Sequence, residues 1–264
     1  MTTKSALLLL IVTAVLWSTS GVLIKFVEWP ALPLASARGL VAAVTMSFLL
    51  PGGFKPRNLE KDDFFVAVCL TVLCLCFVTG MKVAAAANVI VLQYTAPLWV
   101  AVMAPFFLRE RTSGRDWMFM GIMFSGVVLF FLDGLTFTSI TGNVLGLTSG
   151  LFFAFQAVFL RRIKNRSTAN ALILGNFLTF VVGFAAWGSP WPSLIDVIIV
   201  LLLGVFQMGV PYYLMTLAVP KVSSLDLVLV PMIEPILCPL WVFIFLDERP
   251  GAYALAGAVV VILS

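Results

Sequence analysis

Histidine is absent from all 264 residues, and charged side chains make up only 11% of them. The first absence removes the commonest general base and the commonest nitrogen ligand for a transition metal. No GxSxG-type elbow replaces it, so hydrolytic and metal-site chemistry lose their key groups and no cofactor is expected. The scarcity of charge excludes as much. An ordinary soluble domain is about a quarter charged, whereas this chain is 62% apolar, with a mean hydropathy of +1.12. An aqueous fold of this size cannot hide that much apolar surface. Cysteine is also sparse: Cys69, Cys74, Cys76 and Cys238 lie inside apolar runs without zinc-like pairing, which makes packing their expected role. The net charge of +4 is spread through loops and forms no basic stripe, so no nucleic-acid partner is expected.

What is present is a succession of long apolar runs. A hydrocarbon core about 30 Å thick needs roughly 20 apolar residues per helical span. Backbone groups in lipid must be satisfied internally, and unbroken runs lack the alternation of a membrane barrel, so the spans are helices. The expected fold is all-α, a polytopic membrane protein of ten transmembrane helices, at residues 5–26, 32–50, 64–80, 84–108, 117–132, 141–160, 169–187, 194–217, 222–246 and 252–264. Lys4 followed by an apolar run could open a secretory signal. That run continues through Trp17 and Gly21 to Phe26 with more spans behind it, which favours an uncleaved first span. The last span is short and ends abruptly, leaving room for the chain to continue past Ser264.

Basic residues divide unequally between the two faces. If the amino terminus lies on one side, its loops hold Lys4, Lys55, Arg57, Lys61, Arg109, Arg111, Arg115, Arg161, Arg162, Lys164, Arg166 and Lys221. The other side has Lys25, Lys82 and Arg249. The positive-inside rule then puts both termini in the cytoplasm, across a bacterial-type inner membrane. Arg38 falls within the second span and belongs to neither set.

The chain also aligns with itself. A shift of 138 residues sets 80–111 on 218–249 without a gap, bringing Pro97 onto Pro235, Leu108 onto Leu246, Glu110 onto Glu248 and Arg111 onto Arg249. A shift of 136 sets Thr13, Trp17 and Ser20 on Ser149, Phe153 and Gln156. Two units follow, 1–134 and 135–264. Each has five spans, an odd number, so the second must enter the membrane upside down. Such an inverted pair can open a central site to one side and then the other.

The Pro97 stretch ending in Leu108-Arg109-Glu110-Arg111, and its partner from Pro235 to Leu246-Asp247-Glu248-Arg249, resemble the paired EamA-type repeats of the drug/metabolite transporter superfamily. Within its ten-span group the chain is most similar to YddG-type exporters of aromatic and other apolar amino acids. The resemblance implies export of small amphipathic solutes by alternating access.

Several side chains are candidates for such a cavity. Thr13, Trp17 and Ser20 share one helical face, and Phe153 and Gln156 form the matching stripe in the second unit. The fourth span offers Asn88, Thr95 and Trp99 on one face and Tyr94 beside them, with Asn88 aligned to Asp226. The plainer alternative for these groups is interhelical hydrogen bonding and packing. Tyr213 is a candidate aromatic wall. Glu234, near the middle of the ninth span, cannot face lipid cheaply. It is expected to take a substrate ammonium or a proton, or to pair with Arg38. Pro97, Pro231 and Pro235 are candidate hinges, since each proline withholds an amide and frees the carbonyl four residues earlier.

The expected function is therefore export of small amphipathic metabolites, aromatic or other apolar amino acids foremost. A broader drug or metabolite exporter is the alternative in the same class, and a non-transporting scaffold or receptor the alternative outside it. Few cations approach the spans, which disfavours phosphate-bearing solutes. Small-residue spacings at Gly146/Gly150, Gly121/Ser125 and Ala252/Ala256 permit close helix approach within one chain, so a monomer in the lipid bilayer suffices.

Overall fold

The computed structural model describes residues 2–130, 132, 139–165, 168–188, 191–234, 237, 253, 256–257 and 259–260. Helices occupy nearly all of them: α1 (Thr3–Trp17), α2 (Ser20–Phe26), α3 (Ala31–Leu49), α4 (Lys61–Val83), α5 (Ala86–Gln93), α6 (Ala96–Phe107), α7 (Gly114–Phe130), α8 (Ile140–Arg162), α9 (Thr168–Phe184), α10 (Leu194–Leu202), α11 (Val210–Ala218) and α12 (Asp226–Leu229). A π-helical segment, Leu203–Gly209, joins α10 to α11, and a 3-10 turn, Val230–Ile233, follows α12. No strand occurs among the described residues. Five of these helical stretches are long and apolar enough to cross a membrane: Ala31–Leu49, Lys61–Val83, Ala86–Phe107, Ile140–Arg162 and Leu194–Lys221. Thr3–Trp17 and Thr168–Phe184 are shorter apolar helices. The chain is thus an all-helical polytopic membrane protein. Most of the expected ninth span and the tenth lie outside the described residues.

Two expected spans are interrupted. The first breaks at Ser18 and Thr19, whose hydroxyls donate to the carbonyls of Val15 (2.6 Å) and Leu16 (2.8 Å). The fourth breaks at Tyr94 and Thr95, where the Thr95 hydroxyl donates to the Leu92 carbonyl at 2.7 Å. Each hydroxyl satisfies a backbone group at the break, as a helix interruption within lipid requires. Pro97 sits in the first turn of the restarted α6, where its missing amide costs nothing.

Side-chain starts fix the helix ends. Glu60 and Asp63 form a reciprocal cap on α4, and Ser193 and Asp196 do so on α10. Around the bundle, α4 packs on α8 and α9, α3 on α9 and the π segment, α1 on α11 and the Val230–Ile233 turn, and α5 and α6 on α8. The expected close approach of α8 is realised within the chain: a methyl group at Gly150 would sit 2.7 Å from the Gln93 carbonyl oxygen of α5. Gly121 touches nothing, so the small-residue spacing on α7 supports no such contact among the described residues.

The interior divides into two apolar cores. One holds Leu10, Met46, Leu70, Val100, Leu160 and Met215; the other holds Ile24, Leu34, Met81, Val89, Leu203 and Met232. Along α3, membership changes from one to the other across Arg38, and along α4 between Cys74 and Phe77. Trp17 and Ser20 mark the same level where α1 gives way to α2. At this level the cores do not meet.

Candidate functional site

The gap between the cores is a partly open cavity lined by residues of both. Aromatic rings dominate its wall. Trp17 stands edge-on to Phe153 (centroids 5.9 Å, 73°) and to Tyr212 (5.4 Å, 64°), joining α1, α8 and α11. Phe77 from α4 and Tyr94 from the fourth-span break also line it. Edge-to-face pairs of this kind add about 0.5–1.5 kcal/mol beyond burial, so the wall is stiff.

Against this apolar wall stand one cation and one carboxylate. Arg38 on α3 is 2% exposed, and its Nη1 donates to Gln207 Oε1 at 3.2 Å. Its Nε has no hydrogen-bond partner among the described residues. Gln207 reaches it from the π segment, which lies tight on α3: a methyl group at Gly204 would come within 2.4 Å of Val41 Cβ. Glu234 follows the Val230–Ile233 turn, and its Oε2 accepts a 2.7 Å hydrogen bond from the Tyr94 hydroxyl. The same hydroxyl lies 3.2 Å from the Pro231 carbonyl, which Pro235, lacking an amide, cannot bond. The two charged groups line one cavity without an ion pair between them, the described salt bridges being Arg161–Glu110 and Arg162–Asp62. On insertion scales each costs about 2.5–3.5 kcal/mol at the bilayer centre.

Of the side chains singled out by sequence, Trp17, Ser20, Tyr94, Phe153 and Glu234 line the cavity. Gln156 is fully buried one turn beyond Phe153, with its side chain beside the Tyr212 hydroxyl. Four others lie elsewhere. Asn88 is spent in holding α5 to α8 through Asn143 at 3.0 Å, and its aligned partner Asp226 caps α12 by accepting from the Ser223 amide at 2.8 Å. Both lie in the first turn of their helices. Thr95 is taken by the helix break, Trp99 is 36% exposed and donates to the Thr95 hydroxyl, and Tyr213 packs on the first core. Pro231 is buried in the turn before Glu234, while Pro235 lies outside the described residues. Arg38, Cys74, Tyr212 and Gln207 also line the cavity; the intramembrane charge of Arg38 and the polar groups of Gln207 and Tyr212 on the eighth span are the signals in the sequence that point to them.

Both ends of the bundle are tied by polar contacts. At the end bearing the amino terminus, Glu110 Oε1 accepts from Arg161 Nε at 3.0 Å, and its Oε2 accepts from the Ser224 amide (3.1 Å) and hydroxyl (2.7 Å). Arg161 Nη1 also donates to the carbonyls of Val219 and Pro220. Burial alone would raise the Glu110 pKa, but the Ser224 donors and Arg161 outweigh it and hold the carboxyl below its ordinary value. At the other end Lys82 donates to the Val27 carbonyl, and Asp196 accepts from the Glu28 amide at 3.0 Å.

The comparisons with known proteins follow the same outline. A model of the EamA-like transporter family matches residues 4–132 and again residues 140–264. An uncharacterized transporter in the sor 3' region of Acidianus ambivalens is 28% identical over 166 residues, covering 61% of this chain and 64% of that one. The uncharacterized transporter YdfC of Bacillus subtilis is 22% identical over 203 residues, covering 69% and 62%. The matched stretch therefore spans just under two thirds of either relative's length. A solved crystal structure shares the fold with a TM-score of 0.81 at 17% identity, covering 98% of this chain and 95% of that one.

Proposed function

The chain belongs to the EamA-like transporter family, and from that footing we propose that it exports small amphipathic metabolites, aromatic or other apolar amino acids foremost, by alternating access around the central cavity. The observation that carries this reading is the cavity's composition: a wall of Trp17, Phe77, Phe153 and Tyr212, with Glu234 held at its edge by Tyr94. A carboxylate in an aromatic box is what an ammonium attached to an apolar side chain needs.

Alternating access draws its support from the way contacts recur. The first span meets the eighth (α1 on α11) as the sixth meets the third (α8 on α4). The second meets the eighth (α3 on the π segment) as the seventh meets the third (α9 on α4). The fourth meets the sixth (α5 and α6 on α8) as the ninth meets the first (the Val230–Ile233 turn on α1), and the second meets the seventh, its own counterpart. Advancing every span number by five reproduces the set, as expected of units 1–134 and 135–264 related by an in-plane two-fold axis. In this reading Pro97 and Pro231 act as hinges, with Pro235 a further candidate from its sequence position, and both termini face the cytoplasm.

Proteoliposomes holding the purified protein test the function. Labelled phenylalanine or leucine is expected to cross unmodified and to be inhibited by other apolar amino acids. Inhibition by bulky cationic drugs instead would favour the broader exporter, and the absence of any flux would sink the transporter reading.

A further inference from the structure

We infer that Arg38 and Gln207 form the carboxylate-recognition subsite of the cavity, so that the transported solute carries a planar carboxylate as well as its apolar portion; this rests on the transporter reading above. Arg38 stands at mid-height on α3 between the two cores, 2% exposed, and it lines the cavity rather than a helix contact. A guanidinium cannot shed its charge, so its position demands an anion or water. Among the described residues no carboxylate lies within ion-pairing distance of it, and Glu234 is engaged with Tyr94. Its hydrogen-bond partners among the described residues, Gln207 and Cys74, are both neutral, and its Nε is unpartnered. Cys74 and Tyr212 beside it supply no formal charge to balance it.

The chemistry of the anion follows from what surrounds it. Among the described residues that line the cavity, Arg38 is the single cation and Glu234 the single acid. A phosphate ester would ask for a second base, whereas a planar carboxylate matches the two-pronged fork of one guanidinium. Gln207 leaves an amide nitrogen for the same ligand, because its oxygen already receives Arg38 Nη1. With Glu234 taking an ammonium, the lining bears no net charge and suits a zwitterion with an apolar tail.

The test is competition against labelled L-phenylalanine flux in proteoliposomes. In the wild type, L-phenylalanine is expected to compete about tenfold more strongly than its amide, which keeps the ammonium and the ring but lacks the carboxylate. Two variants remove the subsite differently. Arg38→Gln deletes the cation, and Gln207→Glu supplies Arg38 with an internal counter-ion that occupies it. Both are expected to abolish the preference for acid over amide while thermal stability in detergent stays level or rises, because a buried uncompensated charge has been neutralised. Equal competition by acid and amide in the wild type, or an undiminished preference in both variants, overturns the subsite and leaves transport standing. Loss of the folded protein in both variants assigns Arg38 to structure and overturns it too. If wild-type protein moves no amino acid or amine at all, the transporter reading falls first and takes the subsite with it.

Discussion

The Tyr94 hydroxyl donates a 2.7 Å hydrogen bond to Glu234, so the break between α5 and α6 is joined across the cavity to the turn that follows α12. Two stretches 140 residues apart in the chain thus meet at one carboxylate. Glu234→Gln is expected to keep the protein folded in the membrane while lowering flux and flattening its pH dependence. Tyr94→Phe should weaken apparent affinity by about tenfold, the usual consequence of losing a hydrogen bond to a charged group. Proteoliposome flux from pH 5 to 8 checks both; a Glu234→Gln profile identical to wild type removes this carboxylate from the transport cycle.

Trp17 on α1 and Phe153 on α8 meet edge-to-face at 5.9 Å. Either one changed to Ala should raise the half-saturation concentration for labelled phenylalanine by about five- to tenfold, from the lost ring contacts. Purified yield should fall less than that. If instead yield collapses and affinity holds, the pair is packing rather than cavity wall.

The Glu110 tie carries its own pH signature. Its folded-state pKa is depressed, so its contribution is complete above the ordinary carboxylate range and disappears as pH falls through the lower folded value. The carboxyl and Arg161 are partly exposed, which limits the tie to about 1 kcal/mol. Glu110→Gln should therefore lower the unfolding temperature at neutral pH and converge with wild type as the pH falls below the ordinary carboxylate range. Thermal unfolding in detergent measures this; a gap that widens on acidification contradicts it.

At Gly150 there is no room for a side chain, since even a methyl group would come within 2.8 Å of the carbonyl oxygens of Leu92 and Gln93. Gly150→Val should destabilise the protein by about 2 kcal/mol or more, by forcing α8 away from the fourth-span break. Gly121→Val, which meets nothing on α7, is the matched control and should leave the melting temperature unchanged.

Hydropathy made the helices legible before any coordinates, because the cost of an unsatisfied backbone in lipid leaves little choice of structure. Ala31–Leu49, Lys61–Val83 and Ile140–Arg162 fall within a few residues of their expected limits. The interruptions at Ser18–Thr19 and Tyr94–Thr95 were not legible. Those residues are as apolar or as small as their neighbours, and what marks them is a hydroxyl turned onto a carbonyl three residues back. The cavity was half legible for a related reason. A stripe such as Trp17 and Ser20 can be read from spacing, but Asn88 has the same pattern and is spent on Asn143. Spacing gives the face of a helix, and only the neighbouring helix decides whether that face is wet. Arg38 announced itself by charge, yet its partner lay 169 residues away on a segment whose irregular winding no periodicity signals.

That segment, Leu203–Gly209, is wound more loosely than the helices on either side of it. Rewinding the same seven residues to ordinary α geometry would turn one flank against the other by about 100° or more. Gln207 would then swing away from Arg38 although no lining residue had been replaced. The polar half of the cavity is thus set by how the backbone is wound as much as by residue type, a dependence that scanning the lining side chains alone passes over.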